Sequence, residues 1–99
     1  MPKADFDPVH PAEFFVEDFM KPLSLTVPQV ADAVQLPEST VKAFLDEVAP
    51  LSTDLALRFE RAFGCSAEFW MSWQTGYDLR RARERGVAQL ETIQRVTAA

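Results

Sequence analysis

The sequence has few of the residues that build disulfides, metal centres and tight turns. Its 99 residues include one cysteine, Cys65, one histidine, His10, and three glycines. A single cysteine cannot form an internal disulfide, and with one histidine it provides no cluster at the spacing of metal ligands. No glycine-rich phosphate loop is present either. We therefore expect no disulfide, no metal site and no cofactor.

Basic charge and long apolar runs are also scarce. Ten Lys and Arg stand against 15 Asp and Glu, so the formal net charge is -5. The electrostatic field of a negatively charged protein repels phosphates and anionic lipids, so a broadly basic nucleic-acid binder is excluded. No apolar run approaches the ~20 residues of a membrane span, and Asp5 and Asp7 lie where a signal peptide has basic charge. We expect a cytoplasmic protein without a membrane partner.

The chain has no arrangement typical of an enzyme. A nucleophilic Cys65 would need His10 as its base, but His10 directly precedes Pro11 and is better explained as part of a helix start. Asp46 and Glu47 are adjacent on a predicted helix, so their carboxylates diverge and form no acid/base pair. We predict no catalytic residues and no enzymatic activity.

The residues that are present form the pattern of a small all-α protein. Hydrophobic residues make up 47% of the chain, and its length suits one domain. Seven prolines and three glycines favour five or six short helices, and there is no Asn-Gly or Asp-Gly hairpin turn. The predicted helices span residues 11–21, 26–35, 37–48, 53–64, 66–76 and 77–96, the last with a kink or break at Gly86.

The helices predicted at 26–35 and 37–48 are joined by a short turn. Two helices of about ten residues connected in this way, with apolar helices around them, are typical of a helix-turn-helix, which presents its second helix to the major groove. From the pattern alone, an ordinary helical hairpin in an all-α core is an equal alternative. We divide the chain into an N-terminal arm, a main domain and an Arg-rich C-terminal helix, at residues 1–9, 10–79 and 80–99.

Five blocks of sequence carry a resemblance to a known family. They are His10-Pro-Ala-Glu-Phe14, Phe19-Met-Lys-Pro-Leu-Ser-Leu-Thr26, Ala31-Asp-Ala-Val34, Thr53-Asp-Leu-Ala-Leu-Arg58 and Phe63-Gly-Cys-Ser-Ala-Glu-Phe-Trp70. In this order and spacing they closely resemble HigA-type, or VapI-type, antitoxins of the Xre/Cro-like helix-turn-helix class. The resemblance implies a lambda-repressor-like domain that binds an operator as a dimeric repressor. In many members of this family, the protein also neutralises a ribonuclease toxin encoded beside it.

The sequence departs from this family where DNA contact is expected. The family usually has Asn-Gly with Lys or Arg after the third helix, whereas this chain has Asp46 and Glu47. At the turn between the helices the family often has Gly, which relieves left-handed strain, and this chain has Gln35. Residues 26–51 carry a net charge of -3, with one lysine, Lys42. We expect low nonspecific affinity for DNA.

Polar side chains on the two helices are the candidate DNA contacts. Gln29 matches a position that the class uses to hold phosphate, and Thr26 caps the same helix. Ser39, Thr40 and Lys42 lie on the third helix, from which they can reach base edges. The alternative is that all five belong to a solvated helix surface.

The C-terminal part supplies the candidate protein contacts. Residues 78–99 carry a net charge of +2, while the rest of the chain sums to -7. Arg80 and Arg81 suit a helix that binds an acidic partner or flanks DNA phosphates, although a solvated helix with ion pairs is the alternative. Trp73 and Tyr77 belong to an aromatic block that lies in the core or at a dimer interface.

Two hypotheses for function remain. The first is a homodimeric repressor that binds operator DNA and a cognate toxin protein. The second is a helix-turn-helix fold that has lost DNA binding, because its second helix is acidic, and that serves as a protein-interaction or dimerisation module.

Overall fold

A computed structural model contains five helices in the part of the chain that it describes, residues 9–86 and 88–97. Helix α1 is continuous and consists of α-helical Pro11–Phe15, π-helical Val16–Met20 and α-helical Lys21–Leu23. The other helices are α2 (Val27–Val34), α3 (Glu38–Leu45), α4 (Thr53–Phe63) and α5 (Ala67–Arg85). No strand occurs among these residues. The predicted all-α fold is confirmed.

Most helices begin at the capping residues that the sequence predicts. The Thr26 hydroxyl accepts a hydrogen bond from the Gln29 N–H, and the Gln29 side chain accepts one from the Thr26 N–H, which makes a complete capping box. Ser52 and Ser66 cap α4 and α5 through their hydroxyl oxygens. Gly64 ends α4 in the left-handed conformation.

The C-terminal helix differs from the prediction. The predicted break near Gly76 is absent, because α5 runs unbroken through Gly76. The predicted break at Gly86 is confirmed, since α5 ends at Arg85 and Gly86 follows it with φ of 72°. Side chains on both sides of Gly76 pack against other elements and outweigh the cost of about 1 kcal/mol for a glycine inside a helix. Beyond Gly86 the described residues form only a short 3-10 turn, Leu90–Thr92.

The reason for this early end is the lack of apolar partners beyond Gly86. Leu90, Ile93 and Val96 are exposed, so the segment gains no burial that would offset the entropy of ordering a helix. The Arg-rich helix predicted over 80–99 is therefore helical only to Arg85 within the described residues, and its last two positions lie outside them. Most of the predicted arm at 1–9 also lies outside the described residues.

Helix α3 is also shorter than predicted. It ends at Leu45 rather than near 48, because Glu47 adopts a left-handed backbone with φ of 61°. The N–H groups of Val48 and Ala49 both bond to the carbonyl of Ala43, which closes a tight turn. This turn directs the chain away from α3 and towards α5.

The core is an aromatic cluster that holds α3 in place. Phe15 of α1 is fully buried and stacks on Phe59 of α4 at a ring-centroid distance of 4.6 Å. The same ring meets Phe44 of α3 and Trp70 of α5 edge-on. The remaining buried apolar residues are Ala12, Val30, Ala31, Val34, Val41, Leu51, Leu55 and Ala56. Four helices thus meet at one side chain.

None of the helices in residues 9–86 and 88–97 combines the length and apolar character needed to span a membrane. The same residues contain no group of three or more His, Cys, Asp or Glu that could hold a metal ion.

His10 begins α1 and is buried against Phe44 and Tyr77. Its Nδ1 accepts a hydrogen bond of 3.0 Å from the Ala12 N–H, a bond that requires the unprotonated nitrogen. Burial lowers the pKa of His10 below its ordinary value of 6.5, although the carboxylates of Glu47 and Asp78 act in the opposite direction.

We predict that the protein loses stability as the pH falls from about 7 to about 5. Because the pKa of His10 is lower in the folded state, its contribution is complete above 6.5 and is lost as the pH falls through the unfolded value. Urea unfolding across this range measures the loss. His10→Asn keeps a capping acceptor without a titratable ring, so its unfolding free energy should fall less. An equal fall in both proteins would contradict the assignment to His10.

Candidate nucleic-acid interface

Helices α2 and α3 form the helix-turn-helix, and a strained turn joins them. Gln35 follows α2 in the left-handed conformation, with φ of 58°. The Leu36 N–H bonds to the carbonyl of Ala31, and the Gln35 N–H bonds to that of Asp32. Left-handed backbone costs a non-glycine residue roughly 1–2 kcal/mol. The sequence signal, a glutamine where the family has glycine, therefore located a strained residue.

Arg58 of α4 holds this turn from below. Its guanidinium donates to the carbonyl of Val34 at 2.7 Å and to that of Gln35 at 3.1 Å, while its Nε donates to the Asp54 carboxylate. A cation at a helix C-terminus bonds otherwise unpaired carbonyls and interacts favourably with the helix dipole. Arg58 belongs to one of the blocks that resemble the family, but its role at this turn is not among the predictions. The spacing of four between Asp54 and Arg58 predicts their ion pair and not the bonds to the turn.

The chain after α3 is fixed by a buried amide. The Oε1 of Gln74 accepts a hydrogen bond of 2.7 Å from the Leu51 N–H, and its Nε2 donates to the Asp78 carboxylate at 2.8 Å. An unpaired buried amide would cost about 1–3 kcal/mol, so both bonds are needed to keep Gln74 inside. The segment between α3 and α4 is thereby tied to α5.

The five predicted DNA contacts all lie at the surface. The capping box uses the Oε1 of Gln29, which leaves its Nε2 as the donor for a phosphate. Ser39 and Thr40 lie near the start of α3, where major-groove contacts are usually made. Lys42 lies one turn further and forms an ion pair of 3.0 Å with Asp46.

This ion pair weakens the positive charge that α3 presents. Both side chains are more than half exposed, so the pair stabilises α3 by only about 0.3–0.5 kcal/mol and opens readily. A phosphate or base can therefore capture Lys42, but the Asp46 carboxylate then remains nearby. Glu47 adds a further negative charge at this corner.

The predicted protein contacts on α5 pack against different side chains. Trp73 is half-buried and stacks on Phe14 of α1 at 4.9 Å, whereas Tyr77 packs edge-on against His10. At 100° per residue, Arg80, Tyr77 and Arg81 lie about 20°, 40° and 80° from Trp73 around the helix, with Arg80 on the side opposite to the other two. Trp73 and Arg80 therefore lie at one edge of this arc, while Tyr77 and Arg81 line the side next to Glu47.

A shallow cavity marks the place where α5 meets that chain. Its volume is about 390 Å³, and it is lined by Glu47, Tyr77, Asp78, Arg81 and Arg85. Glu47 comes two residues after the end of α3. The basic end of α5 thus lies beside the acidic corner of the helix-turn-helix.

Comparisons with known proteins place this arrangement among DNA-binding relatives. No protein-family model matches the chain. Virulence-associated protein I of Dichelobacter nodosus is 33% identical over 82 residues, which cover 83% of this chain and 76% of that protein.

Two solved structures share the fold over most of their length. Antitoxin GraA in complex with its operator gives a TM-score of 0.84 at 32% identity, with 99% of this chain and 100% of that chain covered. Pseudomonas aeruginosa antitoxin HigA with the higBA promoter gives a TM-score of 0.81 at 31% identity, with 89% and 96% covered. At this level of identity and coverage, the similarity indicates membership of the same family and not a shared fold alone.

We predict that Gln35→Gly raises the free energy of unfolding by up to about 1 kcal/mol. Glycine removes the left-handed strain of the folded state, and this gain exceeds the cost of the extra entropy that glycine gives the unfolded chain. Ala33→Gly, in the exposed part of α2, is the matched control and should destabilise by about 1 kcal/mol. Urea unfolding measures both. Destabilisation by both substitutions would show that the turn carries no relievable strain.

We also predict that replacing Asp46 and Glu47 by Asn and Gly strengthens binding to any DNA duplex, because two carboxylates next to phosphate are removed. Fluorescence anisotropy with a random duplex measures the gain. The control replaces Glu13 and Glu68 by Gln, which removes the same charge from exposed positions outside the helix-turn-helix. An equal gain in both variants would show that this corner lies away from phosphate.

Proposed function

Because this chain belongs to the HigA-type (VapI-type) antitoxins of the Xre/Cro-like helix-turn-helix class, we propose that it is an operator-binding transcriptional repressor and antitoxin. The observation that carries the proposal is the α2-turn-α3 unit, which is held from below by Arg58 and exposes its polar side chains. Relatives with the same fold over nearly the whole chain have been solved with operator or promoter DNA.

In this function, α3 enters the major groove of the operator. Ser39, Thr40 and Lys42 contact base edges, and hydroxyl and ammonium groups can donate to the acceptors that purines present there. Gln29 Nε2 and the Thr26 end of α2 contact the phosphate backbone, which positions the protein without selecting sequence. The packed core behind α3 fixes the orientation of this helix and therefore the direction in which these side chains project.

The antitoxin function needs a protein surface in addition to the DNA surface. We assign it to the part of α5 that carries Trp73, which stacks on Phe14, and Arg80, which lies two turns further along the helix and pairs with Glu84. Aromatic and arginine side chains are the residue types most enriched at interface centres. A cognate toxin or the second copy of a homodimer binds this part of α5, in the cytoplasm where operator DNA is found.

One observation favours a second candidate, a protein-interaction module that no longer binds DNA. Residues 26–51 have a net charge of -3, and their one lysine is already paired with Asp46. Typical readers of DNA draw most of their nonspecific affinity from Lys and Arg at phosphates. The two candidates differ in whether a DNA complex forms at all.

We predict saturable binding to DNA from upstream of the protein's own gene, with a clear preference over a random duplex of equal length. A salt series of anisotropy titrations gives the affinity ratio, and the slope gives the phosphates contacted, at about 0.9 per contact. Folded protein that binds neither duplex at ~50 mM salt would exclude the repressor and leave the interaction module. Equal binding to both duplexes would exclude sequence-specific repression.

A further inference from the structure

We propose that Arg81 and Arg85 of α5 are a phosphate-binding pair that supplies the positive charge missing from α3. This inference rests on the proposed DNA-binding function and names the residues that hold the DNA backbone. Arg81 and Arg85 are four residues apart, one turn of α5, and both line the cavity next to Glu47. Both side chains therefore border the corner where α3 ends.

Position makes these arginines suitable for phosphate contact. When the second helix of a helix-turn-helix lies in the major groove, the chain around its end runs along the sugar-phosphate backbone. That chain is tied to α5 through the bond between Leu51 and Gln74, and its Glu47 shares the cavity with the arginines. A phosphate beside the end of α3 thus comes within reach of long side chains from α5.

Arg81 is held in place before any ligand binds. Its Nη1 donates to the Tyr77 hydroxyl at 2.9 Å, and its guanidinium carbon lies 5.7 Å from the centre of the same ring. Tyr77 is itself packed edge-on against the buried His10. Less side-chain entropy is lost when an oriented guanidinium binds, and its planar fork matches two phosphate oxygens.

The charges in the cavity are compatible with an anion. Within residues 9–86 and 88–97, neither Arg81 nor Arg85 forms an ion pair with a carboxylate, whereas Lys42 does. The Asp78 carboxylate accepts a hydrogen bond from the neutral amide of Gln74, which orients the carboxylate but leaves its charge in place. In the cavity the two guanidiniums therefore balance Glu47 and Asp78, and both arginines keep N–H donors available for a phosphate.

The experiment compares salt slopes on the upstream duplex and on a random duplex of equal length. Replacing Arg81 and Arg85 by Gln should lower the slope by about 1.8, corresponding to two lost contacts, and weaken binding to both duplexes by the same factor. Replacing both by Lys keeps the charge and should keep most of the slope.

A matched control removes two arginines elsewhere, through Arg61→Gln and Arg83→Gln. Arg61 lies on α4, and Arg83 lies on α5 roughly 160° around the helix from Arg81 and Arg85. The control double variant should retain the wild-type slope to within the effect of net charge. Circular dichroism confirms that every variant is folded.

Several outcomes would overturn the proposal. These are an unchanged slope in the Gln variant, an equal drop in the control, or a loss confined to the upstream duplex, which would indicate base contact. An unchanged slope with weaker dimer or toxin association would assign the arginines to a protein partner instead. Failure of the proposed function gives a different result, because the wild-type protein itself would then bind the upstream duplex no more tightly than the random duplex.

Discussion

The packing of Phe15 is the constraint on which the rest of the structure depends. This fully buried ring stacks on Phe59 and meets Phe44 and Trp70 edge-on, so α1, α3, α4 and α5 all pack against it. Truncation of such a side chain to alanine typically costs 3–5 kcal/mol, roughly a third or more of the stability of a small domain. Because Phe44 faces this ring, the opposite side of α3 is the side left to solvent. The orientation of the DNA-binding surface thus follows from core packing.

Local signals were sufficient to predict most of the helices. Capping residues such as Thr26, Ser52 and Ser66 bond to atoms only three residues away, so short sequence windows contain the whole interaction. The continuity of α5 through Gly76 depends instead on distant partners. Gln74 bonds to Leu51, 23 residues earlier in the chain. Sequence periodicity contains no information on such distant contacts. Beyond Gly86 the residues are good helix formers, so the sequence predicts a longer helix than the structure has.

The site was predictable in part for the same reason. The helix-turn-helix pattern was sufficient to predict that the polar residues of α2 and α3 are exposed, and the absence of glycine to predict the strain at Gln35. The role of Arg58 was not predictable from spacing, because the carbonyls that it bonds belong to residues 23 and 24 positions earlier. Arg81 and Glu47 line the same cavity although they are even further apart in the sequence, so their proximity could not be predicted without the folded arrangement of α5.

The placement of basic charge on α5 rather than on α3 has a consequence for specificity in the proposed complex. Contacts to phosphate stabilise every DNA sequence equally, whereas contacts to base edges distinguish one sequence from another. Acidic residues at the end of α3 lower the affinity for all sequences, so in the proposed complex the base contacts of Ser39, Thr40 and Lys42 contribute a larger share of the binding free energy. In the proposed complex, Arg81 and Arg85 raise the affinity for every duplex by the same factor, without adding a lysine or arginine to the surface that contacts bases. The ratio of operator to nonspecific affinity then depends on α3 alone, because the phosphate contacts of α5 cancel from that ratio.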